Sequence, residues 1–180
     1  MKSELDVLVI AHNNIELTIK CVKTLYKNTV TPFHLIIVDD STEPENLSYF
    51  TRWAKEHDNC TYLHSDENYE SSYPILNEGL AHCETPYMVL STNSMLSEYS
   101  WEVAALQVMR TTPSVGIIGL KCLQYRTRLI ESAGLTATKD EKMLGDLGKY
   151  EPSHCFSAVY PVAAVQFAFV LLRAEAVKGT

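Results

Sequence analysis

Three short clusters, each closing an apolar run, hold the residue types that chemistry would need: Ala11-His12-Asn13 after DVLVI, Asp39-Asp40-Ser41 after HLIIV, and Ser91-Thr92-Asn93-Ser94 after YMVL. A carboxylate in the second cluster could accept an N–H bond from a nucleobase, and the flat ring of His12 could stack on that base. Oxygen ligands in the third could hold a divalent cation that bridges phosphates. Together the clusters outline a nucleotide pocket. Each also has a plainer role: His12 as a cap for the next helix, Asp39 and Asp40 as caps for a helix near Glu45, and Asn93-Ser94 as a turn. Paired carboxylates at the end of a buried strand cost desolvation without a partner, which favours ligand contact for the aspartates. The sequence has no G-x-x-x-x-G-K-[ST], and no G-x-G-x-x-G follows the first apolar run, so neither a P-loop nor a standard dinucleotide site is supported.

The elements that would position these clusters alternate along the chain. Residues 6 to 11 form a continuous apolar run that suits a strand covered on both faces. Asn13 and Asn14 then offer N-caps, with Glu16 placed as in a capping box after Asn13, and Ile15, Ile19, Val22, Leu25 and Tyr26 recur at helical spacing. A second strand over 34–38 precedes a helix from about 45 to 57, with Leu47, Phe50 and Ala54 on one face, and a short strand over 61–64. Pro74 opens a further helix carrying Ile75, Leu76, Gly79 and Leu80, and strand 87–90 follows. A helix over about 99–110 turns Trp101, Ala105, Val108 and Met109 inward, so Trp101 reads as core and not as a sugar platform. Strand and helix alternation predicts one mainly parallel sheet, with right-handed crossovers stacking helices on both faces.

After Pro113 the rhythm changes, and runs 115–120, 129–132 and 162–172 predict strands in mixed or antiparallel pairing. Residues 138–156, with two glycines, a proline and the charged stretch KDEK, read as a solvated loop. Gln166 stands in an otherwise apolar run, either as a satisfied polar residue facing a loop or as a contact to a sugar. His154-Cys155 has no identifiable partner and reads as loop.

Length and composition set the outer bounds. A chain of 180 residues with 46% hydrophobic and 21% charged residues is one ordinary globular unit. Its formal charge of −7 opposes the attraction that nucleic acid or an anionic membrane exerts on basic proteins, so neither is expected as a bulk partner. Five scattered cysteines, with no C-x-x-C, form neither a disulfide framework nor a zinc cluster, and a reduced, cytoplasmic setting is expected. No run approaches the roughly 20 apolar residues that span a bilayer, so any membrane association is expected through segments outside this sequence.

Taken in order, VLVIAHNNIELTIKCVKTLYKNT, LIIVDDST and ENYESSYPILNEGLAHCETPYMVLS resemble the successive blocks of family-2 glycosyltransferases. GIIGLKCLQYRTRLIESAG and VQFAFVLLRAEAVKG resemble later blocks of the bacterial rhamnosyltransferase-like branch, so the likeness runs over roughly residues 5 to 179. The resemblance implies an α/β fold of the GT-A type, with a mainly parallel central sheet, helices on both faces and an antiparallel C-terminal portion. It implies one domain over 1–180, with 1–112 the nucleotide-binding half and 113–180 a partial acceptor-side half. The donor it implies is a nucleoside diphosphate sugar, transferred with inversion to a saccharide, lipid-linked saccharide or protein acceptor.

Carried over by position, the resemblance places the base against His12, flanked by Ala11 and Asn13, and gives its imide N–H to Asp40, with Asp39 and Ser41 in the supporting loop. The family's mid-domain Asn falls on Asn68, and its helix-borne N-x-G on Asn77-Glu78-Gly79, near the sugar and diphosphate. Two departures stand out. The acidic D-x-D residues that hold Mg²⁺ or Mn²⁺ in the family are here Ser91 and Asn93, which leaves Asn93's amide oxygen as the candidate metal ligand and weakens any cation site, because affinity follows ligand charge. The family's catalytic carboxylate belongs to a segment beyond the block that closes at Lys178-Gly179-Thr180. The chain is therefore expected to be either a piece of a longer enzyme or a non-catalytic nucleotide-sugar-binding or assembly module. A nucleotidyltransferase, the third reading, would require the phosphate loop and acidic metal ligands that are missing.

Overall fold

The computed structural model describes residues 2–65, 73–137 and 143–178. Strand β1 (Leu5–Ala11) is buried over its whole length, and helix α1 (Ile15–Asn28) follows after a three-residue turn. Next come β2 (Phe33–Asp39), α2 (Pro44–Glu56), β3 (Cys60–His64), α3 (Tyr73–Ala81), β4 (Tyr87–Thr92) and α4 (Val103–Thr111). The C-terminal part adds β5 (Ile117–Gly119), β6 (Cys122–Leu123), β7 (Ile130–Ser132), β8 (Leu135–Ala137), β9 (Leu144–Asp146), β10 (Phe169–Arg173) and α5 (Ala174–Lys178).

Six strands form one sheet in the order β3-β2-β1-β4-β10-β5. The first four are parallel, and β10 joins antiparallel to both β4 and β5. The chain thus winds outward from β1 in one direction and returns to β4 on the other side, which opens a crevice at the carboxyl ends of those strands. Alternate side chains feed two cores. Val7, Val9, Leu35, Ile37, Val89 and Leu171 meet α1, α2 and α4 on one face, through residues such as Val22, Leu25, Phe50 and Leu106. Leu8, Ile36, Val38, Met88 and Val170 meet Ile75 and Leu76 of α3 on the other. A sheet covered on both faces explains why the central strands read as continuous apolar runs.

Gly79 lets α3 approach that second face closely. A Cβ there would lie 2.6 Å from Val38 Cγ1 and 2.7 Å from Leu8 Cδ1, both in the core. Gly79→Ala is expected to destabilise by about 1–2 kcal/mol in urea unfolding, because overpacking outweighs the gain of up to about 1 kcal/mol in helix propensity.

At the opposite end of the sheet, Asp6 interrupts the apolar pattern and is 1% exposed. It accepts bonds from the Thr85 amide (2.7 Å), the Thr85 hydroxyl (2.8 Å) and the Glu84 amide (2.7 Å), and it pairs with His34 Nδ1 at 3.2 Å. These bonds tie the α3–β4 connection to β1. Burial pushes the Asp6 carboxyl up, but the bonds from His34, Thr85 and Glu84 outweigh it and hold the group below its ordinary value of 3.8. A carboxyl depressed in the folded state stabilises above its unfolded pKa, and that stability is lost as pH falls through the folded value. Stability measured by urea unfolding should therefore fall below about pH 4, and Asp6→Asn should flatten that part of the profile while lowering stability at pH 7.

Several boundaries differ from the sequence expectations. Of the two cap candidates for α1, Asn14 takes the role, its side chain accepting from the Leu17 amide, so the capping-box placement after Asn13 is not used. Leu47 is 40% exposed, and Asn46 lies buried in its place beside Phe50 on α2. Helix α4 begins at Val103, and residues 99–102 form turns; Trp101 still packs inward, its indole N–H donating to Thr29 Oγ1 at 3.0 Å and its ring 4.7 Å from that of Phe169. The expected strand 162–172 contracts to β10, and the expected loop 138–156 contains β9, which pairs with β8.

Candidate functional site

The register of the central strands brings the three polar clusters together. Ala11 of β1 pairs with Asp39 of β2, and Ile10 pairs with Thr92 of β4, so residues 12–13, 40–42 and 93–94 leave the sheet side by side. Backbone bonds fix the tips: the Asp40 amide donates to Ala11 O at 3.3 Å and the Asn93 amide to Ile10 O at 3.0 Å. Ala11 itself is fully buried and contributes backbone only.

The two adjacent aspartates do different things. Asp39 is fully buried and accepts from three donors: the Ser41 amide (2.9 Å), the Ser41 hydroxyl and the Tyr62 hydroxyl (2.7 Å). Burial, then the hydrogen bond and charge of Asp39, raise the Tyr62 phenol far above its ordinary value and keep it a donor. Ser41 Oγ in turn accepts from the Asn13 amide at 2.6 Å and from Asn46 Nδ2 at 2.7 Å. Asn13 closes the circuit through Oδ1, which accepts from the Thr42 amide at 3.0 Å. Asp39, Ser41, Asn13 and Asn46 thus lock the β1 and β2 tips to one another. Asn13 and Asn14 both adopt left-handed backbone (φ 49° and 52°), a conformation that Asn tolerates better than most residues.

Asp40 is 7% exposed, and among the described residues its one side-chain bond is from His12 Nδ1 to Oδ1 at 2.8 Å. An ionised carboxylate only accepts, so Nδ1 carries the proton of that bond. The His12 ring is held at one edge yet is 58% exposed.

At the third tip, Ser91 is fully buried and its hydroxyl bonds Thr92 O at 3.0 Å. Its neighbour Cys21 sits in dry surroundings: burial pushes the thiol up to about 12, against a hydrogen bond with Ser91 that lowers it. Asn93 Nδ2 donates to Thr18 Oγ1 at 2.9 Å and approaches Asn13 O at 3.4 Å, tying the β4 tip to α1. Among the described residues no three His, Cys, Asp or Glu side chains group as a metal site. A sealed hydroxyl and one neutral amide oxygen do not fit a Mg²⁺ or Mn²⁺ ion, which takes charged oxygen ligands in such sites.

Asn77 lies exposed on α3 and is not drawn into this network, and Asn68 lies outside the described residues. Gln166 donates to Asp146 at the end of β9 and so is a polar residue satisfied within the protein. Residues that the sequence reading passed over complete the tips: Thr18 and Asn46, both fully buried, and Tyr62. A polar side chain in the first turn of each of α1 and α2 was the available signal for the first two.

The topology, a mainly parallel sheet whose strand order reverses beside β1, is that of an α/β domain of the GT-A type. Residues 6–93, just under half the chain, match the family model "Glycosyl transferase family 2". No curated protein matches the sequence. Among solved structures, the mannosyltransferase PcManGT from Pyrobaculum calidifontis, in complex with GDP-Man and Mn²⁺, superposes with a TM-score of 0.66 at 16% identity over 99% of this chain. The S. aureus TarS 1-349 structure gives 0.67 at 14% identity over 98% of the chain, and its complex with UDP-GlcNAc gives the same values. At these identities the likeness shows the fold. The chain spans about half the length of these proteins, 47% and 48% of the first two.

Proposed function

We propose that this chain is the donor-binding part of a glycosyltransferase that moves a sugar from a nucleoside diphosphate to an acceptor hydroxyl, with inversion. The observation that carries the reading is the side-by-side exit of the β1, β2 and β4 tips, with Asp40 at the β2 tip a nearly buried carboxylate bonded by His12. In this reading Asp40 accepts a base N–H, the exposed ring of His12 borders the base, and Asn93 with the β4 tip faces the diphosphate. The amino end of α1, opening at Ile15 beside the β1 tip, presents positive macrodipole charge on the same side. Ser91 acts from inside, by holding the strand end. Asn77 and Asn68 are assigned to the sugar side by family position alone. Residues 1–112 form the nucleotide half and 113–180 part of the acceptor half.

During transfer the acceptor oxygen bonds to the anomeric carbon as the bond to the diphosphate breaks, and the hydroxyl proton passes to a general base. This chain's part is to hold and orient the donor, and the family supplies that base from a later segment. No step is assigned to a metal ion. A charged nucleotide sugar crosses a bilayer poorly, so the reading implies a cytoplasmic site. No described helix is long and apolar enough to span a membrane.

The neutral pair Ser91 and Asn93 favours a second reading, a non-catalytic nucleotide-sugar-binding or assembly module. Titration with UDP-, GDP- and dTDP-sugars, followed through Trp and Tyr fluorescence, tests the element both readings share. Saturable binding of at least one is expected, and its absence for all three would remove both. Turnover of a donor sugar by a longer form carrying the later segment, in the presence of Mn²⁺, would then separate enzyme from module.

A further inference from the structure

With the base at the β2 tip and the diphosphate at the β4 tip, the sheet order continues past the nucleotide to β10. Strand β10 is antiparallel to β4, so the chain enters it at the ligand end: Phe169 pairs with Ser91, and Ala168 O accepts from the Thr92 amide at 3.0 Å. Neighbouring strands lie about 5 Å apart, so a nucleotide sugar laid across the tips in the order β2, β1, β4 brings its sugar beside the segment that enters β10. Gln166 belongs to that segment. It stands two residues before Ala168, within about 7 Å of it along the chain.

Gln166 holds a carboxylate in place there. Its Nε2 donates to Asp146 Oδ1 at the end of β9, while its own Oε1 receives no bond from the described residues. Asp146 is 20% exposed, and Lys149 Nζ approaches Oδ2 at 3.5 Å, a long contact that leaves this carboxylate able to accept further donors. Lys149 is drawn away to Glu131 Oε1 at 3.0 Å, and Gln124 Nε2 donates to Glu131 Oε2 at 2.8 Å. Burial pushes the Asp146 carboxyl up, but bonds from Ser132 and Gln166 and the charge of Lys149 outweigh it and hold the group below its ordinary value of 3.8. Asp146 is therefore ionised at neutral pH, and an ionised acceptor makes the stronger bond to a sugar hydroxyl. Two carboxylates against one ammonium leave the cluster negative, which suits a neutral sugar and repels the diphosphate. The geometry points to Asp146, positioned by Gln166, as the hydroxyl-accepting residue of a donor-sugar subsite beside the β4 tip. This inference rests on the donor-binding reading above and goes further, by assigning the sugar to residues beyond the stretch that the family model matches.

Calorimetry with UDP-glucose, UDP-galactose, dTDP-rhamnose and GDP-mannose, each beside its bare diphosphate, tests it in the wild type and in three variants. Asp146→Ala is expected to weaken at least one sugar nucleotide about tenfold or more, the scale of a lost bond to a charged acceptor, while its diphosphate stays within about twofold of wild type. Asp146→Asn keeps the size of the side chain and an oxygen for Gln166, so its loss should be smaller, about threefold to fivefold. Gln166→Ala leaves the carboxylate present but unsteered and should cost the sugar nucleotide about threefold, again with the diphosphate unchanged. If Asp146 served only to anchor β9, Asp146→Asn would bind every sugar nucleotide as wild type does, which overturns the inference. Equal weakening of sugar nucleotide and diphosphate in Asp146→Ala overturns it too, while leaving the donor-binding reading intact. No binding of any of these ligands to wild type sinks that reading and this one together.

Discussion

Asp39→Ala is expected to lose about 3–5 kcal/mol of stability, because it strands the donors gathered around a fully buried carboxylate. The Tyr62 hydroxyl and the Ser41 amide and hydroxyl would lose their acceptor at once. Ser41 is the hub that receives the Asn13 amide and Asn46, so the damage spreads to both strand tips. Urea unfolding should show the loss, and nucleotide binding should disappear with the loop that carries Asp40. Asp39→Asn keeps one acceptor oxygen and is expected to cost less. A loss below about 1 kcal/mol for Asp39→Ala would mean the network does not hold the tips.

For Asp40→Ala the expected pattern is reversed. Its carboxylate, though nearly buried, receives only one side-chain bond among the described residues, from the exposed His12, so the stability loss should be smaller, about 1–2 kcal/mol. Removing a charged acceptor for the base N–H should weaken UDP binding by roughly 10- to 100-fold, the range for a hydrogen bond to a charged group. Parallel calorimetry and unfolding on the two alanine variants would separate the neighbours: residue 39 carries the fold and residue 40 the ligand. Equal UDP affinity in wild type and Asp40→Ala would remove Asp40 from the site.

Much of this was legible in the residues. Continuous apolar runs at 6–11 and 34–38 suit strands covered on both faces, and their alternation with helical stretches points to the parallel part of the sheet. The C-terminal third was harder to read because its strands are short. Of the apolar run 162–172, only Phe169 to Leu172 pairs with β4 or β5, and pairing of that range is not encoded by periodicity. At the site, the sequence indicated which tips converge but not the division of labour between Asp39 and Asp40, which depends on Tyr62 from β3 reaching across to one of them. Asp6 was hidden inside an apolar stretch, because its donors Glu84 and Thr85 arrive from a loop almost 80 residues away. Likewise, a fit for a cation at 91 and 93 could be questioned from residue type, whereas the sealing of Ser91 needed the packing of α1.

Backbone amide NMR during UDP titration addresses the convergence of the three strand tips most directly. The account predicts saturable shifts concentrated at residues 12–13, 40–42 and 93–94, with little change at the far end of the sheet around Asp6, Glu84 and Arg173. Saturable shifts centred on that far end, or spectra unchanged at millimolar UDP, would contradict it.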